Sequence, residues 1–196
     1  SILTASFSGI DLFAFNGKDW SRTEIAKGDP APCPKCGSSD IAIGHLGKQR
    51  FIAAIEPWHG NQVVMYSERD HHWNRRVVDD ALVDGHTILT ADFDGSGRDA
   101  IVAGFRGGQH GVFLYEFEPS GRPPERGNPA TSARTPPTFP QVAQHDSGRK
   151  IIVDSGAMAA AACAAADLNG DGRTDLACIG AATANLKWYE NISAAP

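Results

Sequence analysis

Apolar residues in this chain come in short runs that repeat in order. Three runs end on a tyrosine: NQVVMY at 61–66, HGVFLY at 110–115 and NLKWY at 185–189. Each follows a second apolar run, RFIAAI (50–55), AIVAGF (100–105) or DLACIG (175–180). Each of those follows a third, DIAIGHL (40–46), TILTADF (87–93) or ACAAADL (162–168). Beyond the first two tyrosines comes a fourth run, WNRRVVDD (73–80) and RKIIVDSG (149–156), and the N-terminus repeats the tail of the unit with ILTASF, IDLFAF and WSRTEIAKGD. Runs this short, bounded by Gly, Asp, Asn and Pro, read as strands. Four strands recurring at about 50 residues predict the four-stranded antiparallel blades of a β-propeller. The fold class is therefore all-β. The Ala-rich stretch 156–168 has helix propensity, but its tail aligns with strands elsewhere, so it too is expected to be a strand.

The pattern opens on a second strand and stops at a third, so about three and a half blades are expected. Residues 1–32 end one blade, 33–85 form a blade, 86–158 form a blade carrying a Pro-rich loop at 119–148, and 159–196 begin another. Propellers must close. The chain thus reads as half of a seven-bladed ring, as one of two copies that pair, or as a small ring with two imperfect blades. Its partners are expected to be the remainder of the propeller or a second copy.

Charge and cysteines narrow the picture. A net charge of −5 argues against a nucleic-acid partner. No apolar run reaches membrane-spanning length and no secretion signal is apparent, so the chain reads as soluble, without a membrane partner and with its localisation open. Cys33 and Cys36 form a CxxC with no matching second pair, which favours a local disulfide or free thiols over zinc. Cys163 and Cys178 sit in apolar runs and read as small buried hydrophobes. Asn191 begins an NIS sequon, a match that occurs often by chance.

Two acidic, glycine-rich turns lie between first and second strands. DLNGDGRTD places Asp167, Asn169 and Asp171, the carbonyl of Arg173, and Asp175 at alternating positions. Oxygen ligands at that spacing around a sharp Gly turn suit Ca²⁺ or Mg²⁺. DFDGSGRDA keeps Asp92 and Asp94 but has Ser96 at the fifth position and Asp99 one step early; in the blade before it, His45 stands where Asp92 stands. One intact and two eroded copies point to a structural cation that pins a turn, whereas a hairpin of Asp, Asn and Gly needs none. The pattern resembles FG-GAP and VCBS-type propeller repeats.

The opposite rim is richer chemically. Its turns and blade-to-blade links carry Glu56, Trp58, His59, Asp84, His86, Arg106, His110 and Met158. His86 opens a first, inner strand and is expected to face the central channel. The stretches AAIEPWHGNQVVMY, VVDDALVDGHTILTADFDGSGRDAIVAGFRGG and AADLNGDGRTDLACIGAATANLKWYEN are similar to the propeller of the aldos-2-ulose dehydratase family, which includes 1,5-anhydro-D-fructose dehydratases. That resemblance implies a lyase acting on a keto-sugar. Placement on the rim then assigns expected roles: His86, His59, Arg106 and Glu56 as catalytic groups, Trp58, His110 and Asp84 as substrate contacts, and His59 with Glu56 as holders of Zn²⁺ or Mg²⁺. Two other classes remain open: a carbohydrate-binding propeller without catalysis, and a Ca²⁺-stabilised structural propeller.

Overall fold

A computed structural model describes residues 1–70, 72–117 and 148–192. It contains fourteen strands in four antiparallel sheets. The first sheet has three strands, β1 (Ile2–Ser6), β2 (Gly9–Phe15) and β3 (Trp20–Ala26). The second has four, β4 (Asp40–Leu46), β5 (Gln49–Glu56), β6 (Gln62–Arg69) and β7 (His72–Asp79). The third has β8 (Gly85–Ala91), β9 (Ala100–Phe105), β10 (Gly111–Phe117) and β11 (Gly148–Ser155), and the fourth has β12 (Ala160–Ala166), β13 (Asp175–Gly180) and β14 (Asn185–Tyr189). Neighbours in each sheet are consecutive in sequence, as in propeller blades. The Ala-rich stretch is strand β12, because seven small residues fit a tight inner strand. The Pro-rich segment expected between the third and fourth strands lies outside the described residues, apart from Gly148, which opens β11.

The core sits between sheets. Ile10, Ile52, Ala54, Val64 and Tyr66 fill the first seam. Ala53, Ile55, Val63 and Met65 meet Ile88, Ile101, Ala103 and Tyr115 in the second. Val102, Val112 and Leu114 meet Met158, Leu176 and Cys178 in the third. Period-two alternation explains this: each blade turns one set of positions toward its predecessor and the other toward its successor. Burying each large aliphatic side chain contributes roughly 1.5–3 kcal/mol.

The tyrosines that define the repeat clasp the seams. Asp79 ends β7 opposite Val63, and Asp154 stands in the same place near the end of β11, opposite Val112. Tyr115 Oη donates to Asp79 Oδ2 at 2.7 Å and Tyr189 Oη to Asp154 Oδ2 at 3.0 Å. Lys150 and Lys187 complete the two clasps at 2.5 and 2.7 Å. At the first seam the corresponding residue is Ala26, opposite Ile10, and it has no carboxylate. Tyr66 instead donates to Glu56 Oε1 at 2.6 Å, and Arg75 Nε reaches Oε2 at 2.9 Å.

Both cysteine pairs are disulfides. This corrects the reading of Cys163 and Cys178 as unbonded hydrophobes. Both pack in the third seam, and the β12–β13 register sets them directly opposite with Cα atoms 4.1 Å apart, within bonding reach. Asn191 of the sequon donates its side-chain amide to the carbonyls of Phe93 and Thr174, tying the fourth sheet to the turn after β8.

Candidate active site on the turn-and-link rim

Backbone hydrogen bonds sew the turns and links of one rim together. Leu82 and Gly85 of the link donate to Asn61 and Gly60 of the preceding turn at 3.0 and 2.8 Å. Arg106 and Gly107 of the next turn donate to Asp84 and Val83 of that link at 3.0 and 2.9 Å. The fit is close at Gly85, where a Cβ would lie 2.8 Å from the Gly60 carbonyl oxygen. Side chains distant in sequence thereby converge.

His59 is the hub. Its Nδ1 lies 3.1 Å from Asp84 Oδ1 and 3.0 Å from Arg106 Nη2, and Arg106 also pairs with Asp84 Oδ2 at 3.3 Å. The His86 ring stands 4.9 Å from that of His59, centroid to centroid. A register shift between Gly85 and Thr87 leaves His86 as the bulged residue of β8, and a bulge re-aims a side chain. His59 and Asp84 both hold left-handed backbone, φ 50° and 55°. That conformation is uncommon for residues other than glycine, and such residues cluster at functional sites.

The electrostatics follow. Burial, with the positive charge of Arg106 close by, holds His86 below the ordinary imidazole value, so it is neutral at pH 7. Burial pushes the Asp84 carboxyl up, but hydrogen bonds from Arg106 and His59 outweigh it and the net shift is downward. Arg106 Nε and His110 Nε2 are buried without a hydrogen-bond partner, leaving hydrogen-bonding capacity at this rim unspent.

Trp58 stands beside the hub, 36% exposed, with its ring 5.5 Å from His59. Its backbone N–H donates to the Cys36 carbonyl at 3.2 Å, so the Cys33–Cys36 loop props it. Sequence reasoning missed Phe7, whose ring lies 4.7 Å from Trp58 and which is 47% exposed. Phe7 occupies the β1–β2 turn, the counterpart of the turn carrying Trp58, and that alignment was the available signal. Asp40 was also missed. Its carboxyl is raised by burial, which outweighs the hydrogen bonds it accepts from the Ile88 and Ile41 amides. His110 lies on the same rim, its carbonyl accepting from Gly156 N at 2.7 Å, without contact to the hub.

Two expected rim residues are elsewhere. Met158 is buried in the third seam. Glu56 is fully buried, and its oxygens accept from Ser38, Tyr66 and Arg75. It takes the place of the carboxylate missing at Ala26, so it is withdrawn from the catalytic and metal-holding set.

The acidic turns lie on the opposite rim and repeat one hydrogen-bond pattern. Asp167 accepts from the amides of Asp171 and Gly172 at 3.1 and 2.9 Å; Asp92 accepts from Ser96 and Gly97 at 3.2 and 2.8 Å. Asn169 Oδ1 and Asp94 Oδ1 each accept the same amide, that of Asp171 or Ser96, at 3.0 Å. Arg173 sits on Asp171 Oδ2, and Asp175 accepts from Leu168 and Asn191. The carboxylates thus face their own backbone. Among the described residues no three His, Cys, Asp or Glu side chains are grouped to hold a metal. Asp99 reaches across to the blade before it, accepting the His45 amide at 2.6 Å. A concavity here, lined by Asp94, Arg98, Asp99 and Glu116 among others, holds no imidazole.

Residues 1–69 match the family model of the aldos-2-ulose dehydratase beta-propeller domain. The matched segment holds Phe7, Asp40, Trp58 and His59, and stops before Asp84, His86 and Arg106. It relates the chain to that enzyme family through a propeller domain. No curated protein matches the chain. Among the described residues no helix is long and apolar enough to cross a membrane.

Proposed function

We propose that this rim binds a keto-sugar and removes water from it by base-assisted elimination. The carrying observation is the hub: His59 Nδ1 between Asp84 at 3.1 Å and Arg106 at 3.0 Å, with His86 beside it. The match to a dehydratase propeller domain supports the same chemistry. Neutral His86 takes the proton from the carbon next to the carbonyl. The C–H electrons form a new C=C bond while the carbonyl electrons move to oxygen, where Arg106 stabilises the enolate. The enolate re-forms its carbonyl and expels the β-hydroxyl, which leaves as water with a proton from His59. Asp84 orients His59, and Trp58 stacks on the apolar face of the sugar ring.

Incubation with 1,5-anhydro-D-fructose tests this directly, because the enone product absorbs in the ultraviolet. A rise in absorbance is expected from the wild-type chain and none from His86→Ala. The exposed Phe7–Trp58 pair favours a second reading, carbohydrate binding without turnover. A flat trace with saturable quenching of tryptophan fluorescence by the sugar selects that reading. A flat trace without binding overturns both.

A further inference from the structure

Two links between blades flank the turn that carries Trp58 and His59, and their ends are built alike. The earlier runs from 27 to 39 and the later from 80 to 84. Ser38 N–H donates to the Ser6 carbonyl at 2.9 Å, as Gly85 N–H does to the Gly60 carbonyl at 2.8 Å. Gly37 and Asp84, the residues just before these donors, both hold left-handed backbone, φ 67° and 55°. Cys36 therefore stands where Val83 stands. The Cys36 carbonyl accepts from Trp58 N–H at 3.2 Å and the Val83 carbonyl from Gly107 N–H at 2.9 Å. The two links differ in one bond. Arg106, which follows β9, donates a second N–H to the Asp84 carbonyl at 3.0 Å, whereas Pro57, which follows β5, has no N–H to donate. Of this pair of backbone bonds, the turn carrying Trp58 and His59 keeps the one to Cys36, and Cys36 is the residue that the disulfide to Cys33 fixes.

We infer that the Cys33–Cys36 disulfide is a positioning element for the sugar site: it holds Trp58 in place, and its reduction weakens sugar binding without stopping the chemistry at the hub. The role of Trp58 as a sugar contact rests on the functional reading above; its dependence on the disulfide does not. The earlier link is the longer of the two, so it has more freedom to lose, and a cross-link restrains it. His59 is held separately, by Asp84 and Arg106, so the hub survives when the link loosens. Access favours this bond over the other disulfide. Cys33 is exposed, whereas Cys36 is 6% exposed and Cys178 1%. The thiolate of a dithiol reductant bonds to Cys33 Sγ, the Sγ–Sγ bond breaks, and Cys36 Sγ leaves with the electron pair and takes a proton. The second thiol of the reductant then displaces Cys33 Sγ, so the reductant is oxidised to a disulfide by two electrons and the protein gains two thiols.

Amide hydrogen exchange tests the positioning without any sugar. In the variant combining Cys33→Ser and Cys36→Ser, the Trp58 amide is expected to exchange roughly two- to tenfold faster, the effect of loosening one hydrogen bond. The Gly107 amide, its counterpart on the later link, is expected to keep the wild-type rate. A dithiol is expected to do the same to the wild-type chain and to add nothing at Trp58 in the variant, which excludes Cys163–Cys178 as the source. With 1,5-anhydro-D-fructose, KM and the Kd from tryptophan quenching are expected to rise by a similar factor while kcat holds, and reoxidation of the wild-type chain restores both. Unchanged exchange at Trp58 overturns the inference, and so does equal acceleration at Gly107, which would make the bond a staple of the whole fold. Faster exchange at Trp58 with unchanged KM and Kd overturns its link to sugar affinity. A wild-type chain that binds no sugar overturns the functional reading instead, and exchange at Trp58 still decides whether the disulfide positions that residue.

Discussion

At the residue scale, His59 faces a carboxylate and a guanidinium through the same nitrogen. When Nδ1 carries the proton it donates to Asp84, leaving Nε2 as a base; when Nδ1 is bare it accepts from Arg106, and Nε2 holds the proton. The site thus keeps a proton to give or a lone pair to use. The structure places His86 below the ordinary imidazole range. The acid limb of kcat/KM is therefore expected at a pH below 6.5, and a limb at or above that value would remove His86 as the base. The sign for stability is the same. The unfolded chain protonates His86 before the folded one does, so stability falls as pH drops through the ordinary imidazole range. Asp84 adds stability that is present above the usual carboxylate range and is lost in acid. The left-handed backbone at His59 supplies a second test. His59→Gly removes the conformational cost of a side chain there and adds glycine entropy, so stability is expected to stay within about 1 kcal/mol while turnover is lost. A large loss of stability would instead make His59 a structural residue.

At the scale of the element, the acidic turn explains its own repetition. The first Asp of each copy caps the amides of the fifth and sixth positions, a task that needs a carboxylate and a glycine but no acid at position five. Ser96 can therefore replace the counterpart of Asp171 without opening the turn. A fold held this way is expected to show the same Tm in chelator and in Ca²⁺. A rise of several degrees with Ca²⁺ would show that the carboxylates leave the backbone for an ion.

At the scale of the molecule, stability resides in seams, each combining an apolar cluster with a carboxylate–tyrosine clasp. Asp79 is held below the usual carboxylate range: burial pushes it up, and Lys150 and Tyr115 more than reverse this. Asp79→Asn is expected to cost about 1–3 kcal/mol in denaturant unfolding, because Tyr115 and Lys150 lose a charged acceptor. Lys150→Ala, which leaves Asp79 its tyrosine donor, is expected to cost less. Equal costs would remove the hydroxyl from the clasp.

The sequence alone determined the repeat and its strand order, because alternation and turn residues are local properties. It also determined which turns share a rim, since antiparallel order alternates the ends of consecutive strands. It did not determine what those rims do with their side chains. Glu56 and His59 are three residues apart, yet Glu56 turns into a seam to satisfy Tyr66 and Arg75 while His59 stays at the rim. That division follows from Ala26, a residue thirty positions away that lacks a carboxylate. Phe7, Asp40 and the Cys163–Cys178 bond were equally hidden, because each depends on register across a seam or a strand pair. Tertiary packing decided these, since a buried polar group takes whichever partner the neighbouring blade brings within hydrogen-bond reach.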